Sequence, residues 1–194
     1  MSTALPANVP PDLPLARGQV LLVGTGSFSV NLLPSWALLL RRWYGASVRA
    51  CLTWSATALV APDALAAATR SPVWGPGFDT AVGTVPHQEL AAWADLVLVA
   101  PATAAFVGKC ANGISDSFAL SVVTGSTAPV VIAPAVSEGA MAKASVKRNL
   151  ALLAEDGYTV VGPVNGTSVH TDQVGPGAMA DFGAILRAAR AAIG

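Results

Sequence analysis

Three short runs in this 194-residue chain are apolar at nearly every position: Gln19–Val23 (QVLLV), Leu96–Ala100 (LVLVA) and Val130–Ala133 (VVIA). A strand with water on one face alternates apolar and polar side chains, whereas a strand apolar at consecutive positions must be covered on both faces. Between these runs the apolar residues take helical spacing, over Leu32–Tyr44, from Pro86 through Trp93, over Ala104–Ala111, Asp116–Val123 and Lys143–Asp156, and finally over Ala180–Ile193. Ser47–Leu52 and Tyr158–Val161 read as two further strands. Strands alternating with helices predict a mostly parallel sheet with helices on both sides, because each parallel connection needs a crossover. The expected class is therefore α/β, a doubly wound parallel sheet. The length fits one domain, since a single core grows to about 250 residues before a chain divides.

In a doubly wound sheet ligands bind beyond the carboxyl ends of the strands. At the end of the first strand stands Gly24-Thr25-Gly26-Ser27, ahead of a helix whose unpaired N–H groups would suit a phosphate. This is neither G-x-G-x-x-G nor a Walker sequence, and a tight turn that needs glycine is an equal reading. Thr53-Trp54-Ser55-Ala56 follows the second strand, where the hydroxyls of Thr53 and Ser55 either reach the same phosphate as Ser27 or cap a helix. The stretch from Pro86 to Asp116 holds most of the chemistry: a helix start with His87, the apolar run ending in Ala100-Pro101, a loop of small residues, and a second helical start. His87 is one of only two histidines. From Ala61 to Gly83 the pattern is irregular, and Trp74 there reads as a packing residue. Lys109 and Asp116 read as an ion pair or helix cap.

The charge balance excludes some partners. Eleven basic and eleven acidic residues cancel, and both nucleic acid and anionic membrane surfaces need a clustered positive field. No apolar run reaches the roughly 18 residues needed to span a bilayer. With 53% apolar and 11% charged residues, against about a quarter charged in an ordinary soluble domain, the chain is expected to bury apolar surface against copies of itself. Cys51 and Cys110 make neither a disulfide framework nor a metal site, so a reducing cytoplasm and no metal are expected, with both thiols in the core. Residues 1–18, rich in proline and without a signal-peptide core, read as a flexible or surface-draped leader to a domain over 19–194. Within that domain, residues 162–177 read as a mobile flap.

Taken together, the motifs resemble the homo-oligomeric flavin-containing cysteine decarboxylases, over about Val20 to Gly177 and in the family's order. Thr25-Gly26-Ser27 and Thr53-x-Ser55-Ala56 match its two phosphate turns. Pro86-His87-x-Glu89-Leu90 with Trp93-Ala94-Asp95 matches the helix bearing its catalytic histidine. Pro101-Ala102-Thr103-Ala104-Ala105-Phe106 corresponds to its Pro-Ala-Ser-Ala-Asn-Thr loop, and Lys109-x-Ala111-Asn112-Gly113-Ile114-x-Asp116 to the segment after it. Ala133 to Met141 stands at its substrate clamp, Pro-x-Met-Asn-x-x-Met-Trp.

The resemblance implies a Rossmann-like, flavodoxin-like fold and an FMN cofactor held by Thr25, Gly26, Ser27, Thr53, Ser55, Ala102, Thr103 and Ala104. It makes His87 the catalytic base and Ala105, Pro134, Val136, Ser137 and Met141 the substrate contacts. It also implies sites built between subunits of a homotrimer, with homododecamers of four trimers in the peptide-modifying branch. Three departures matter. Ala105 replaces the loop asparagine, Ser137 replaces the clamp asparagine within an altered clamp, and Gly166-Thr167-Ser168-Val169-His170 lacks the flap cysteine of the phosphopantothenoylcysteine enzymes.

The implied chemistry oxidises the cysteine side chain to a thioaldehyde, so that carbon dioxide leaves as it does from a β-keto acid and an enethiol remains. Without the flap cysteine the electrons are not returned. This favours decarboxylation of a C-terminal cysteine of a ribosomal precursor peptide, giving an aminoenethiol for S-aminovinyl-cysteine formation. Candidate partners are then that peptide, copies of the chain itself and further biosynthetic enzymes. An imidazole suits the proton of a thiol of pKa roughly 8.5; the plain alternative for His87 is packing at a helix start. A flavin-binding scaffold or regulatory protein without activity, and a phosphopantothenoylcysteine decarboxylase, stand as alternatives.

Overall fold

A computed structural model describes residues 5–78 and 83–194. The chain opens with β1 (Gln19–Gly24), a 3-10 turn (Phe28–Leu32) and α1 (Leu33–Tyr44), then β2 (Ser47–Leu52), α2 (Trp54–Thr57), α3 (Pro62–Thr69) and the two-residue β3 (Val73–Trp74). It continues through α4 (Pro86–Trp93), β4 (Leu96–Ala102), α5 (Ala104–Ala111), α6 (Phe118–Gly125) and β5 (Val130–Pro134). The last elements are α7 (Glu138–Met141), α8 (Ala144–Glu155), β6 (Thr159–Val160), β7 (Val164–Thr167), β8 (Val174–Ala178) and α9 (Phe182–Ile193). β1 to β6 form one sheet in the order β3-β2-β1-β4-β5-β6, and every pairing is parallel. That is the doubly wound Rossmann order; without the short edge strand β3 it is the flavodoxin order. The order reverses between β1 and β4, which opens the crevice.

The pleat divides the core in two. Val20, Leu22, Ala50, Leu52, Leu96 and Leu98 face α1, α3 and α9; Leu21, Val23, Cys51, Val97, Val99 and Ile132 face α4, α5, α6 and α8. All seven residues of β4 are buried, as a strand covered on both faces requires. The strand runs past its expected end at Ala100 to Ala102, and its pairing with β5 shifts register between Val99 and Ala102. Pro101 has no N–H to give the ladder, so the shift sits where the pattern is interrupted. β3 lies in the stretch read as irregular, because two residues are too short to show a period.

Two expectations about irregular segments resolve into contacts. Residues 5–18, in the stretch read as a flexible or surface-draped leader, make contacts with the domain. Leu13 enters the core, Tyr44 donates its hydroxyl to the Pro10 carbonyl at 2.8 Å, and Arg190 pairs with Asp12 at 2.7 Å. The segment read as a flap, 162–177, contains most of an antiparallel hairpin of β7 and β8. No helix among the described residues is long and apolar enough to cross a membrane.

The leader also carries a titrating contact. Asp95 accepts from the Arg17 backbone N–H at 2.6 Å, from Arg17 Nε at 2.8 Å and from the Gln19 N–H at 3.1 Å. Burial pushes this carboxyl up, but the hydrogen bonds from Arg17 and Gln19 outweigh it and hold the group below the usual carboxylate range. The stabilisation is thus fully present above the unfolded value near 3.9 and is lost as pH falls through the folded one. Asp95→Asn is expected to cost about 1–3 kcal/mol at pH 7. The gap from wild type should close below about pH 4 in urea unfolding midpoints; a gap that does not change with pH would contradict this origin.

Candidate active site

Four strand ends meet at one edge of the sheet: Gly24 of β1, Leu52 of β2, Ala102 of β4 and Pro134 of β5. Thr25 ties two of them together. Its N–H and hydroxyl both donate to the Pro101 carbonyl, at 3.2 and 2.7 Å, and its Oγ1 accepts from the Thr103 N–H at 2.9 Å. With 1% of its surface exposed, Thr25 is a brace between the tips of β1 and β4, its hydroxyl already committed. Expected as a cofactor contact, Thr25 still borders the recess that Thr53 and Ser55 line, but with its hydroxyl engaged by the backbone.

Thr53 and Ser55 differ. Thr53 precedes α2 in an extended conformation and makes no side-chain cap; its hydroxyl lies 3.4 Å from that of Ser55. Neither caps a helix, and apart from each other neither hydroxyl has a hydrogen-bond partner among the described residues. They line a recess of about 270 Å³ with Thr25, Thr103, Ala105 and Lys109. The starts of two helices border it, α5 behind Thr103, which accepts from the Phe106 N–H at 3.3 Å, and α6 behind Ser117, which accepts from the Leu120 N–H. Gly26 closes on the same place: a Cβ there would fall on the Ser55 side chain. Free hydroxyls, two helix starts, a lysine and a glycine at closest approach fit a phosphate-bearing cofactor. Lys109 also pairs with Asp116 at 2.6 Å, the ion pair read from the sequence.

Thr103 also lines a second cavity of about 600 Å³, shared with Gly26, Ser27, Val136, Ser137 and the hairpin. Ser137 caps α7 by accepting from the Ala140 N–H at 3.3 Å. The Val136 N–H donates to the Gly177 carbonyl at 2.8 Å, fastening the hairpin to the clamp. Gly177 has φ +116°, and a Cβ there would meet the Val136 carbonyl, so only glycine allows this seat. Among the described residues no lysine or arginine lines this cavity, and Glu138 and His170 are the ionisable side chains that do.

The remaining expected residues lie elsewhere. Ala102 is fully buried, and its carbonyl accepts from the Ala135 N–H at 2.9 Å. Ala102, Ala104, Pro134 and Met141 line neither cavity, and Ala105 belongs to the hydroxyl recess instead of the larger cavity. His87 also lines neither. It sits on α4, edge-on to Phe78 and Phe118 at 5.4 and 6.3 Å between ring centroids, with its Nδ1 buried and without a hydrogen-bond partner among the described residues. Phe28, Ser29 and Glu138 were not anticipated as cavity lining, whereas Thr167–Thr171 belong to the segment read as a substrate flap. Ser29 continues a run of hydroxyls after Gly26, the one local signal that pointed to it. Burial pushes both the Cys51 and Cys110 thiols up, as expected of core side chains.

Comparison with known proteins places this geometry. Residues 12–194 match the family model described as Flavoprotein. The coenzyme A biosynthesis bifunctional protein CoaBC of Bacillus subtilis (strain 168) is 40% identical over 123 residues, 63% of this chain and 30% of that protein. The chain spans about a third of the length of the curated relatives it matches. Among solved structures, the FMN-dependent cysteine decarboxylase SpaF superposes with TM-score 0.78 at 34% identity, covering 90% of this chain and 94% of that one. The FMN-dependent cysteine decarboxylase TvaF from thioviridamide biosynthesis gives 0.72 at 33% identity, covering 77% and 91%. A PPC decarboxylase with a cysteine-to-serine substitution, complexed with pantothenoylaminoethenethiol, gives 0.79 at 26% identity, covering 89% and 96%.

Proposed function

We propose that this chain, which belongs to the Flavoprotein family, is an FMN-dependent decarboxylase of a C-terminal cysteine in a ribosomal precursor peptide. FMN bound here supplies an acceptor for two electrons and hydrogen from the cysteine side chain. Thr53, Ser55 and Ser27 hold its phosphate with the helix starts behind Thr103 and Ser117, while Gly26 lets the backbone close on it. The larger cavity takes the peptide end under the hairpin, with Val136 and Ser137 against it. His87 accepts the thiol proton. Since His87 lines neither cavity of its own chain, a trimer that sets it at the cavity of the next subunit brings base and thiol together.

The observation that carries the peptide reading is the hairpin without a cysteine, Val164 to Ala178. In the PPC decarboxylase structure a replaced cysteine and a bound aminoethenethiol occur together. A hairpin that offers no thiol likewise has no donor to return electrons, so the product is the enethiol and two hydrogens are lost with carbon dioxide. Decarboxylation of phosphopantothenoylcysteine is the second reading, favoured by the identity to the CoaBC protein.

Incubating the FMN-loaded protein with a peptide ending in cysteine separates these. A loss of about 46 Da, carbon dioxide plus two hydrogens, is expected. A loss of about 44 Da from phosphopantothenoylcysteine, with the peptide untouched, supports the second reading. No change in either leaves a flavin-binding scaffold.

A further inference from the structure

At the edge of the sheet opposite the candidate active site, β3 pairs only with Ala50 and Cys51 of β2. The first residues of β2, Ser47 to Arg49, therefore have no strand on their outer side, and the missing length leaves a notch of about 490 Å³. Arg41, Arg49 and Arg70 line it with Ser47, Ser71 and Trp93, and no carboxylate lines it among the described residues. In a chain with equal numbers of acidic and basic residues, three guanidinium groups around one recess repel one another unless an anion lies between them.

Part of this charge has a structural use. The carboxyl ends of α1 and α3 meet here, and Arg41 donates to the Ala68 carbonyl at 2.8 Å, a favourable place for a cation. Arg70 caps α3 and shares that placement, but no carbonyl or carboxylate among the described residues takes the guanidinium of Arg49 or Arg70. Arg49 lies over Trp93, its Cζ 4.4 Å from the ring centroid, which places its guanidinium at the rim. Arg70 ends α3 with φ 58°, a left-handed position where glycine sits without strain and arginine does not. None of the three makes an ion pair among the described residues.

We propose that this notch binds a phosphate or diphosphate group. Arg49 and Arg70 supply charge-assisted hydrogen bonds, the Ser47 and Ser71 hydroxyls complete the shell, and the volume suits a small phosphate ester. The site is independent of the flavin reading, because it lies at the amino ends of the strands.

Titration calorimetry with inorganic pyrophosphate at constant ionic strength, on protein saturated with FMN so that the flavin site is filled, tests it. One saturable site per chain is expected, weakened about tenfold or more by Arg70→Gly or Arg49→Gln. Arg70→Gly relieves the backbone at that position, so its melting temperature and bound FMN should be kept. Absence of saturable binding, wild-type affinity in both variants, or tighter binding of citrate than of pyrophosphate would overturn the assignment. Vesicles bearing phosphorylated headgroups identify the source: co-sedimentation of wild type but not Arg70→Gly assigns a lipid phosphate, and no co-sedimentation a free ester.

Discussion

His87→Asn should bind FMN as wild type does and decarboxylate a cysteine-ended peptide roughly 10²- to 10⁴-fold more slowly, the usual cost of removing a positioned proton acceptor. Asparagine keeps a polar tip at the start of α4 but cannot take a proton from a thiol. The ring is half-buried against Phe78 and Phe118, so the variant also loses some packing. Melting temperature and flavin absorbance therefore have to be measured beside turnover. Loss of turnover with flavin retained separates a proton acceptor from a packing residue. Normal turnover removes His87 from the chemistry.

The second large effect is on the cofactor. Gly26→Val puts a branched side chain where even a Cβ falls on Ser55, with the Ser55 carbonyl carbon 3.4 Å away. Room can come only from moving the start of α2, which carries the hydroxyl recess with it. Overpacking of this kind costs about 1–3 kcal/mol, roughly 5- to 150-fold in affinity, and the variant should leave gel filtration with little or no flavin. Full yellow colour would show that the glycine is not at the point of closest approach.

The two variants also test each other. His87→Asn keeps the cavity and Gly26→Val keeps the base, so co-refolded mixed trimers should regain part of the activity if each site takes its base from a neighbour. Mixed trimers verified by mass but inactive would put His87 and the cavity to work within one chain, against the arrangement proposed above.

Much of this was legible in the chain itself, for a local reason. A run such as Leu96–Ala100 states its own burial, and a glycine beside hydroxyls at a strand end marks a place of close approach. Such signals need only a few neighbouring residues, so they pointed to the doubly wound sheet, to Gly26, Ser27, Thr53 and Ser55 as lining of the cavities at one sheet edge, and to both cysteines as core. Ser137 was reached another way, through the resemblance to the family's substrate clamp.

What remained was decided by partners far apart in sequence. Thr25 looks like its hydroxyl neighbours until Pro101, 76 residues on, takes its hydroxyl. Ala102 and Met141 sit inside motifs that point to the site, yet the sheet buries one and α7 turns the other away from both cavities. The hairpin became cavity lining only because Val136 receives Gly177, and the arginine notch exists because β3 begins only opposite Ala50, three residues into β2. Local pattern sets which residues form strands, turns and helices. Which polar groups are left free to meet a ligand is settled by the long-range contacts that satisfy all the others.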